Sequence, residues 1–178
     1  MPSDFGRNEQ ANDILRHAES LAKNGNHRES NKLYFRSLKG KRSLHDLYSV
    51  YSGIADNYRD LERLSKARRW LTKCLKLEVS PNKRAGAHSR LAAVASSLGK
   101  RDAQFEHCRT ALALFDSNAD DYHPHFLQDT YWTLGDAYYH NKDFARAAYC
   151  LGNSIELVLL LEGDEALIQG HSSVDELR

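Results

Sequence analysis

Two histidines flank a proline at His123-Pro124-His125, the motif in this sequence whose spacing best suits metal chemistry. Imidazole is the commonest side-chain ligand for transition metals in proteins. A protein site needs at least three ligands, and only Asp120 and Asp121 lie near the pair, with no cysteine at ligand spacing. We therefore expect no metal and no other cofactor. We interpret the motif as a loop that leads into a helix, with the proline in the first helical turn.

Two Gly-Lys pairs are the next candidates, because a glycine followed by a lysine closes the phosphate-binding loop of many nucleotide-binding proteins. That loop also needs a second glycine five residues earlier and a serine or threonine directly after the lysine. Other residues stand in both places: Phe35 and Arg42 for Gly40-Lys41, and Val94 and Arg101 for Gly99-Lys100. The sequence also contains no nucleophile elbow, HExxH or paired-glutamate motif. It therefore predicts a protein that is not an enzyme.

The three cysteines, Cys74, Cys108 and Cys150, are an odd number at wide spacing, which suits neither a disulfide framework nor a zinc site. We expect free, inert thiols in a reducing compartment. The polar start MPSDFGRN is not a signal peptide, and the longest apolar run, Leu157 to Leu161, is far shorter than the roughly 20 residues that span a bilayer. These features predict a cytoplasmic or nucleocytoplasmic protein without a transmembrane segment.

Charge is unevenly distributed along the 178 residues, although the formal net charge is only +1. Residues 28–109 contain 19 Lys and Arg against 8 Asp and Glu, whereas residues 110–178 contain 3 against 12. Such a separation makes a dipolar surface that would steer a charged partner or favour head-to-tail self-association of the chain.

The secondary-structure elements that position these residues are predicted to be α-helices throughout the chain. Apolar residues recur at steps of three and four, and strand patterns are scarce, so we expect a single all-α domain of about eight helices of roughly 14 to 18 residues. Ser80 followed by Pro81 predicts a helix start. Gly25, Gly99 and Asn141 are predicted to take the left-handed conformation that ends a helix.

An internal repeat is the strongest pattern in the chain. When Ala11, Tyr48, Ala85 and Gln128 are each counted as position 1, three positions hold small residues in nearly every copy. They are position 8 (Ala18, Ala55, Ala92, Gly135), position 20 (Ser30, Ala67, Gln104, Ala147) and position 27 (Ser37, Cys74, Ala111, Ser154). Small residues at a helical spacing let two helices pack closely, and larger apolar residues lie between them.

This arrangement resembles the tetratricopeptide-repeat (TPR) family, and the copy from Gln128 matches the family pattern best, with Tyr131, Leu134-Gly135, Tyr138, Phe144 and Ala147. The resemblance covers residues 11 to about 162. It implies an α-solenoid of four antiparallel helix pairs, with repeats starting near residues 11, 48, 85 and 128. Residues 1–10 would then be a lead-in and residues 163–178 a cap and acidic tail. His17 and His88 depart from the pattern at packing positions, where we expect hydrogen-bonded core histidines.

The resemblance also implies a concave groove lined by the first helix of each pair, in which such proteins bind a peptide or helix of a partner. The residues at the inward positions or beside them are Arg16, Glu19, Lys23, Asp56, Arg59, Arg90, Trp132, Asp136, Tyr139 and His140. Exposed aromatic residues dominate such interfaces, so Trp132 and Tyr139 are the predicted anchors unless Trp132 packs against the C-terminal segment. Some members of the family bind the C-terminal carboxylate of chaperone peptides with a clamp of lysines, asparagines and an arginine. Such a clamp is not expected here, because only Arg90 matches. The lysine and asparagine positions are occupied by Leu15, Glu19, Gly53 and Gly86. The sequence thus favours a protein-binding adaptor or scaffold.

A basic stripe offers the alternative. Lys66, Arg69, Lys73 and Lys76 follow one another at helical spacing beside a core-facing stripe of Ala67, Trp70, Leu71 and Cys74. Together with its basic neighbours in residues 63–84, the stripe would attract nucleic acid or another polyanion on the convex side of the solenoid. A solvated helix face without a partner explains the same residues, since exposed lysines need none.

Overall fold

The computed structural model describes the backbone of residues 4–40, 42–115 and 124–174, and the side chains of residues 13–40, 42–115 and 124–161. In these ranges the chain forms eight α-helices and no β-strand: α1 (Asp4–Lys23), α2 (His27–Ser37), α3 (Leu44–Asp60), α4 (Leu64–Leu75), α5 (Pro81–Ser97), α6 (Arg101–Leu114), α7 (Pro124–His140) and α8 (Phe144–Val174). The predicted all-α solenoid is confirmed.

Local chemistry explains where the helices begin and end. The hydroxyl oxygen of Ser80 accepts a hydrogen bond from the Lys83 amide at 3.3 Å, and Pro81 occupies the first turn of α5, as predicted. The turn inside each helix pair contains one residue in the left-handed region: Gly25 (φ 76°), Glu62 (φ 57°), Gly99 (φ 67°) and Lys142 (φ 61°). In the fourth pair this residue is Lys142, so the prediction of Asn141 was wrong by one position.

The helices pack as antiparallel pairs through the small residues that mark the repeat. The residues at positions 20 and 27 are at most 3% exposed in every copy, including Gln104 and Ala147. In the fourth pair a Cβ built on Gly135 would lie 2.8 Å from Cγ of Leu151, so only glycine allows the close approach of α7 and α8 there. The predicted packing register is confirmed at these sites.

The pairs stack into a curved layer. Each first helix contacts the next first helix, in the order α1, α3, α5 and α7, whereas no second helix among the described residues contacts the second helix of the next pair. The more closely spaced layer lies on the inside of a curved solenoid. The first helices therefore form the concave side, and α2, α4, α6 and α8 the convex side.

Several features differ from the sequence-based expectations. His17 was expected in the core but is exposed, because no described helix packs on that face of α1. The predicted cap begins within α8, which continues as one helix of 31 residues to Val174. The loop prediction for residues 117–123, including His123, lies outside the described residues.

Among the described residues, one helix is long and apolar enough to cross a membrane by length and composition. The 18 residues Phe144–Leu161 of α8 have a mean hydropathy of 1.4, and 17% of this segment is buried inside the structure. The expectation of no transmembrane segment stays a prediction, because length and composition alone do not show that a helix spans a membrane. That prediction rested on the length of uninterrupted apolar runs. In the segment Phe144–Leu161 the polar residues Arg146, Asn153 and Glu156 interrupt the apolar residues.

Candidate partner-binding groove

The centre of the concave face is an ion pair between two first helices. Nε of Arg90, on α5, donates to both carboxylate oxygens of Asp56, on α3, at 3.2 and 3.1 Å. The guanidinium carbon lies 4.3 Å from the ring centroid of Phe126, at the start of α7. Burial would lower the pKa of Arg90, but the Asp56 carboxylate, with smaller contributions from Tyr48 and Cys74, more than offsets this and holds the pKa above its usual value. Arg90 is thus a permanent cation whose position is set by three helices.

Further charges surround this pair. Asp56 also lies 3.5 Å from Nη1 of Arg59, which in turn pairs with Asp60 at 3.2 Å. Burial raises the pKa of Asp129, on α7, and the nearby cations Arg59 and Arg90 partly offset the rise. Charges of both signs therefore alternate across α3, α5 and α7.

Beside the ion pair lies a cavity of about 280 Å³. Its walls include Glu19, Tyr34, Tyr48, Asp56, Arg90 and Phe126, so they combine aromatic rings with charges of both signs. Burial, with smaller contributions from the Glu19 and Asp56 carboxylates, raises the pKa of Tyr34 to about 12, so this phenol remains a hydrogen-bond donor.

Two glycines make room for the aromatic walls of this cavity. A Cβ built on Gly53 would lie 2.5 Å from Oη of Tyr34, and one built on Gly86 would lie 3.1 Å from the Phe126 ring. Side chains at these positions would push the rings aside. The two glycines therefore shape the groove by leaving space for these rings.

The fourth repeat presents two exposed aromatic side chains. Trp132 and Tyr139 are 57% and 58% exposed, and their spacing of seven residues places them on one face of α7. The Tyr139 ring also contacts Phe144, with ring centroids 5.7 Å apart. The exposure of Trp132 argues against the alternative in which it packs against the C-terminal segment.

On the convex side, the basic stripe Lys66, Arg69, Lys73 and Lys76 is exposed along its whole length. Three of its members, with Phe35, Tyr58 and Trp70, line a second cavity of about 240 Å³. Nζ of Lys73 lies 3.6 Å from a ring centroid of Trp70, and Nζ of Lys66 lies 5.4 Å from that of Tyr58. The lysines therefore already make cation–π contacts within the chain.

Comparisons with known proteins match this architecture. A sequence model of the tetratricopeptide repeat matches residues 48–78, the second of the four helix pairs. Solved structures with the same fold include MamA, with a TM-score of 0.61 and 16% identity over 88% of this chain and 80% of that one. The chain therefore contains a tetratricopeptide (TPR) repeat at residues 48–78 and has the fold of tetratricopeptide-repeat proteins. TTC0263, a thermophilic TPR protein in Thermus thermophilus, superposes with a TM-score of 0.50 and 18% identity over 89% of this chain and 99% of that one. Identities this low show the fold alone, and no curated protein matches the sequence.

The predicted groove residues fall into separate groups. Glu19, Asp56 and Arg90 line the first cavity, with Arg59 beside them. At the α1 end of the groove, Arg16 forms an ion pair with Asp13 on the same helix. Lys23 is exposed in the last turn of α1.

Asp136 has a structural role that the sequence did not reveal. Its carboxylate accepts hydrogen bonds from Ser96 (3.1 Å), Arg101 (3.0 Å) and Gln104 (3.2 Å), and Nδ1 of His140 lies 3.1 Å away. Burial would raise the pKa of Asp136, but the hydrogen bonds from Gln104 and Ser96, with two nearby cationic groups, hold it below its usual value. This carboxylate therefore joins α5, α6 and α7.

Sequence reasoning missed several residues of the two cavities. Tyr34, Tyr48 and Phe126 line the concave cavity, and Phe35 and Tyr58 line the convex one. The sequence shows these aromatic residues, but the repeat pattern predicts that they lie in the core. Trp70, predicted to face the core, is only half-buried and stacks against Phe35 and Tyr51 with centroids 5.7 and 5.3 Å apart.

The histidines and cysteines form no candidate reaction centre in the described part of the chain, where no three metal-ligating side chains come together. All three cysteines are buried, and burial raises the pKa of both Cys74 and Cys108 to about 12. Thiols of this kind are poor nucleophiles because the thiolate is scarce at neutral pH. His88 lies 3.2 Å from His107, Nδ1 to Nδ1, so this predicted core histidine does have a hydrogen-bond partner.

Proposed function

We propose that this TPR protein is a non-enzymatic adaptor that binds a peptide or helical segment of another protein in its concave groove. The observation that carries the proposal is the pair of aromatic side chains, Trp132 and Tyr139, each more than half exposed on the inner helix layer. Large aromatic side chains lose little conformational entropy on binding and supply most of the energy of typical protein interfaces.

The charges of the groove indicate how a segment would be oriented there. Asp56 and Arg90 are held in a fixed geometry by their own ion pair, so they offer directed hydrogen bonds at little entropic cost. Glu19 and Lys83 also line the concave cavity and add one charge of each sign. We infer that the partner segment is mixed in charge and has an apolar anchor that reaches the end formed by Trp132 and Tyr139.

Affinity capture with quantitative mass spectrometry tests this function. The double variant Trp132→Ala/Tyr139→Ala should lose its captured proteins, because truncating a buried aromatic anchor typically costs about 2 kcal/mol or more. Leu44→Ala is the control, since Leu44 is a 48% exposed apolar residue at the start of α3 that lines neither cavity. Retention of the same proteins by a folded groove variant would refute the proposal.

Binding of nucleic acid or another polyanion is the second candidate, and the convex cavity favours it. Three aromatic residues and three cations of the basic stripe line that cavity, which is the combination that single-stranded nucleic acids use. Against it, two of the three cations already cover aromatic rings. Fluorescence anisotropy with oligo(dT) would decide, since binding by the stripe should weaken steeply between about 50 and 200 mM salt. It should also vanish in the Lys66→Glu/Arg69→Glu/Lys73→Glu variant.

A further inference from the structure

Exposed large hydrophobic residues are concentrated on one helix, α8. Of the ten such residues in the described part of the chain, five lie on this helix. With two small neighbours they form the outer face of α8: Phe144, Ala148, Tyr149, Gly152, Ile155, Leu159 and Leu160. From their exposed fractions this patch measures about 600 Å², the upper limit of what a monomer usually exposes.

The earlier repeats show what normally covers this face. Position 28 is occupied by Leu38, Leu75, Leu112 and Ile155 in the four helix pairs. The first three are partly buried, and each packs into a cluster that includes a residue of the next first helix, on α3, α5 and α7 respectively. Ile155 is instead 55% exposed. Around Ile155 the outer face of α8 therefore has the form of a socket for an α-helix, and no described element fills it. At positions 22 and 25, which hold Tyr149 and Gly152, the earlier repeats are exposed as well, so this part of the face is not normally covered by the next repeat.

The opposite end of the solenoid does not match this socket. At the seam positions 3, 7 and 10, helices α3, α5 and α7 carry residues that are at most 7% exposed, such as Ile54 and Leu91. On α1 the same positions hold Asp13, His17 and Ser20, which are polar and exposed. Head-to-tail stacking would bury these polar groups against an apolar face at a cost in desolvation. The head-to-tail association suggested by the charge asymmetry is thus disfavoured at this seam.

We propose that the outer face of α8 binds the same face of a second copy of this chain, with the two helices antiparallel. Such an isologous dimer needs a self-complementary patch. Ala148, Gly152, Ile155 and Leu159 follow the 4-3-4 spacing of paired helices, and Glu156 is the one charged residue among the exposed positions from 148 to 160.

The two-fold axis of the dimer lies near Gly152. A Cβ built on Gly152 would have no atom within 4 Å, so the backbone there is open to close approach by another helix. The two patches together would bury about 1,200 Å², the lower limit for a specific interface.

Sedimentation equilibrium of the full chain over about 1 to 100 µM tests the proposal. We expect a species of twice the 20.3 kDa chain mass, and we expect Ile155→Asp/Leu159→Asp to weaken self-association at least tenfold. Leu44→Asp is the matched control, because Leu44 is a 48% exposed leucine at the start of α3. All the changed side chains are exposed, so circular dichroism should show unchanged helicity.

The register has its own test. Under oxidising conditions Gly152→Cys should form a disulfide-linked dimer, since residues at the axis approach each other closely, whereas Arg146→Cys should not. The three native cysteines are buried and should not interfere. A monomer at every concentration would overturn the proposal, as would a dimer that the α8 variant leaves intact. A chain that stays monomeric and floats with phosphatidylcholine–phosphatidylglycerol vesicles would instead assign the face to a membrane surface.

Discussion

Nε of Arg90 lies 3.1 Å from Oδ2 of Asp56, so one ion pair joins the second and third repeats across the floor of the groove. The two side chains are 16% and 30% exposed, respectively. Removing one partner of such a pair leaves the other charge poorly solvated, and this is more costly than removing both.

The first prediction follows from this pair. Asp56→Ala should reduce the free energy of unfolding by about 1–3 kcal/mol, below the full cost for a buried pair because Asp56 retains contact with water. Asp56→Leu/Arg90→Met should recover part of the loss, since neither charge remains. The coupling energy comes from urea unfolding of the unmodified chain, the single variants Asp56→Leu and Arg90→Met, and the double variant that combines them. A coupling energy near zero would mean that the pair does not join the repeats.

The second prediction concerns the packing of α3 on α4. Ala67 is fully buried at a position that is small in most copies of the repeat, so Ala67→Leu should overpack the helix pair and cost about 1–3 kcal/mol. Ala113→Leu, on the exposed side of α6, adds the same volume where there is room for it. Thermal unfolding of both variants checks this, and equal midpoints would contradict the packing register.

The third prediction is a loss of stability at acid pH that depends on one histidine pair. Burial lowers the pKa of both His88 and His107, and for His88 the neighbouring cationic groups His107 and Arg84 lower it further. In the unfolded chain both rings titrate near about 6.5. Between the folded and the unfolded pKa the unfolded chain binds more protons, so stability falls as the pH drops through about 6.5.

Thermal unfolding at about pH 7.5 and 5.5 measures this effect. The decrease in the melting temperature between the two pH values should be smaller in His107→Asn than in the unmodified chain. His17→Gln serves as the control, because His17 is exposed and outside this pair. A pH dependence that His107→Asn leaves unchanged would show that other groups are responsible.

The packing inside the repeats was predictable from the sequence, because each small residue at positions 8, 20 and 27 reports a contact between neighbouring helices. Even the off-pattern Gln104 occupies its predicted place. Its amide is fully buried and donates to the Thr133 carbonyl at 2.8 Å and to Asp136 at 3.2 Å. A polar residue is stable in this core because its hydrogen bonds are satisfied.

The ends of the solenoid and the cavities were not predictable in the same way. A repeat pattern assigns each position the average burial of its copies, yet His17 and Ile155 are exposed because no helix in the described part of the chain covers them. The cavity walls depend on the lack of a side chain at Gly53 and Gly86, because this leaves the space that the rings of Tyr34 and Phe126 occupy. Which ring enters such a space depends on side-chain geometry between helices, and periodicity carries no information about it.

Site-specific photo-crosslinking in cells tests the central claim, that partners bind in the concave groove, most directly. A photoreactive benzoylphenylalanine at position 132 or 139 replaces one aromatic side chain by another, so the fold should not change. The same group at position 69 samples the basic stripe on the opposite side of the solenoid. We expect protein adducts from positions 132 and 139 and few from position 69. Adducts from position 69 alone, with none from the groove, would contradict the account.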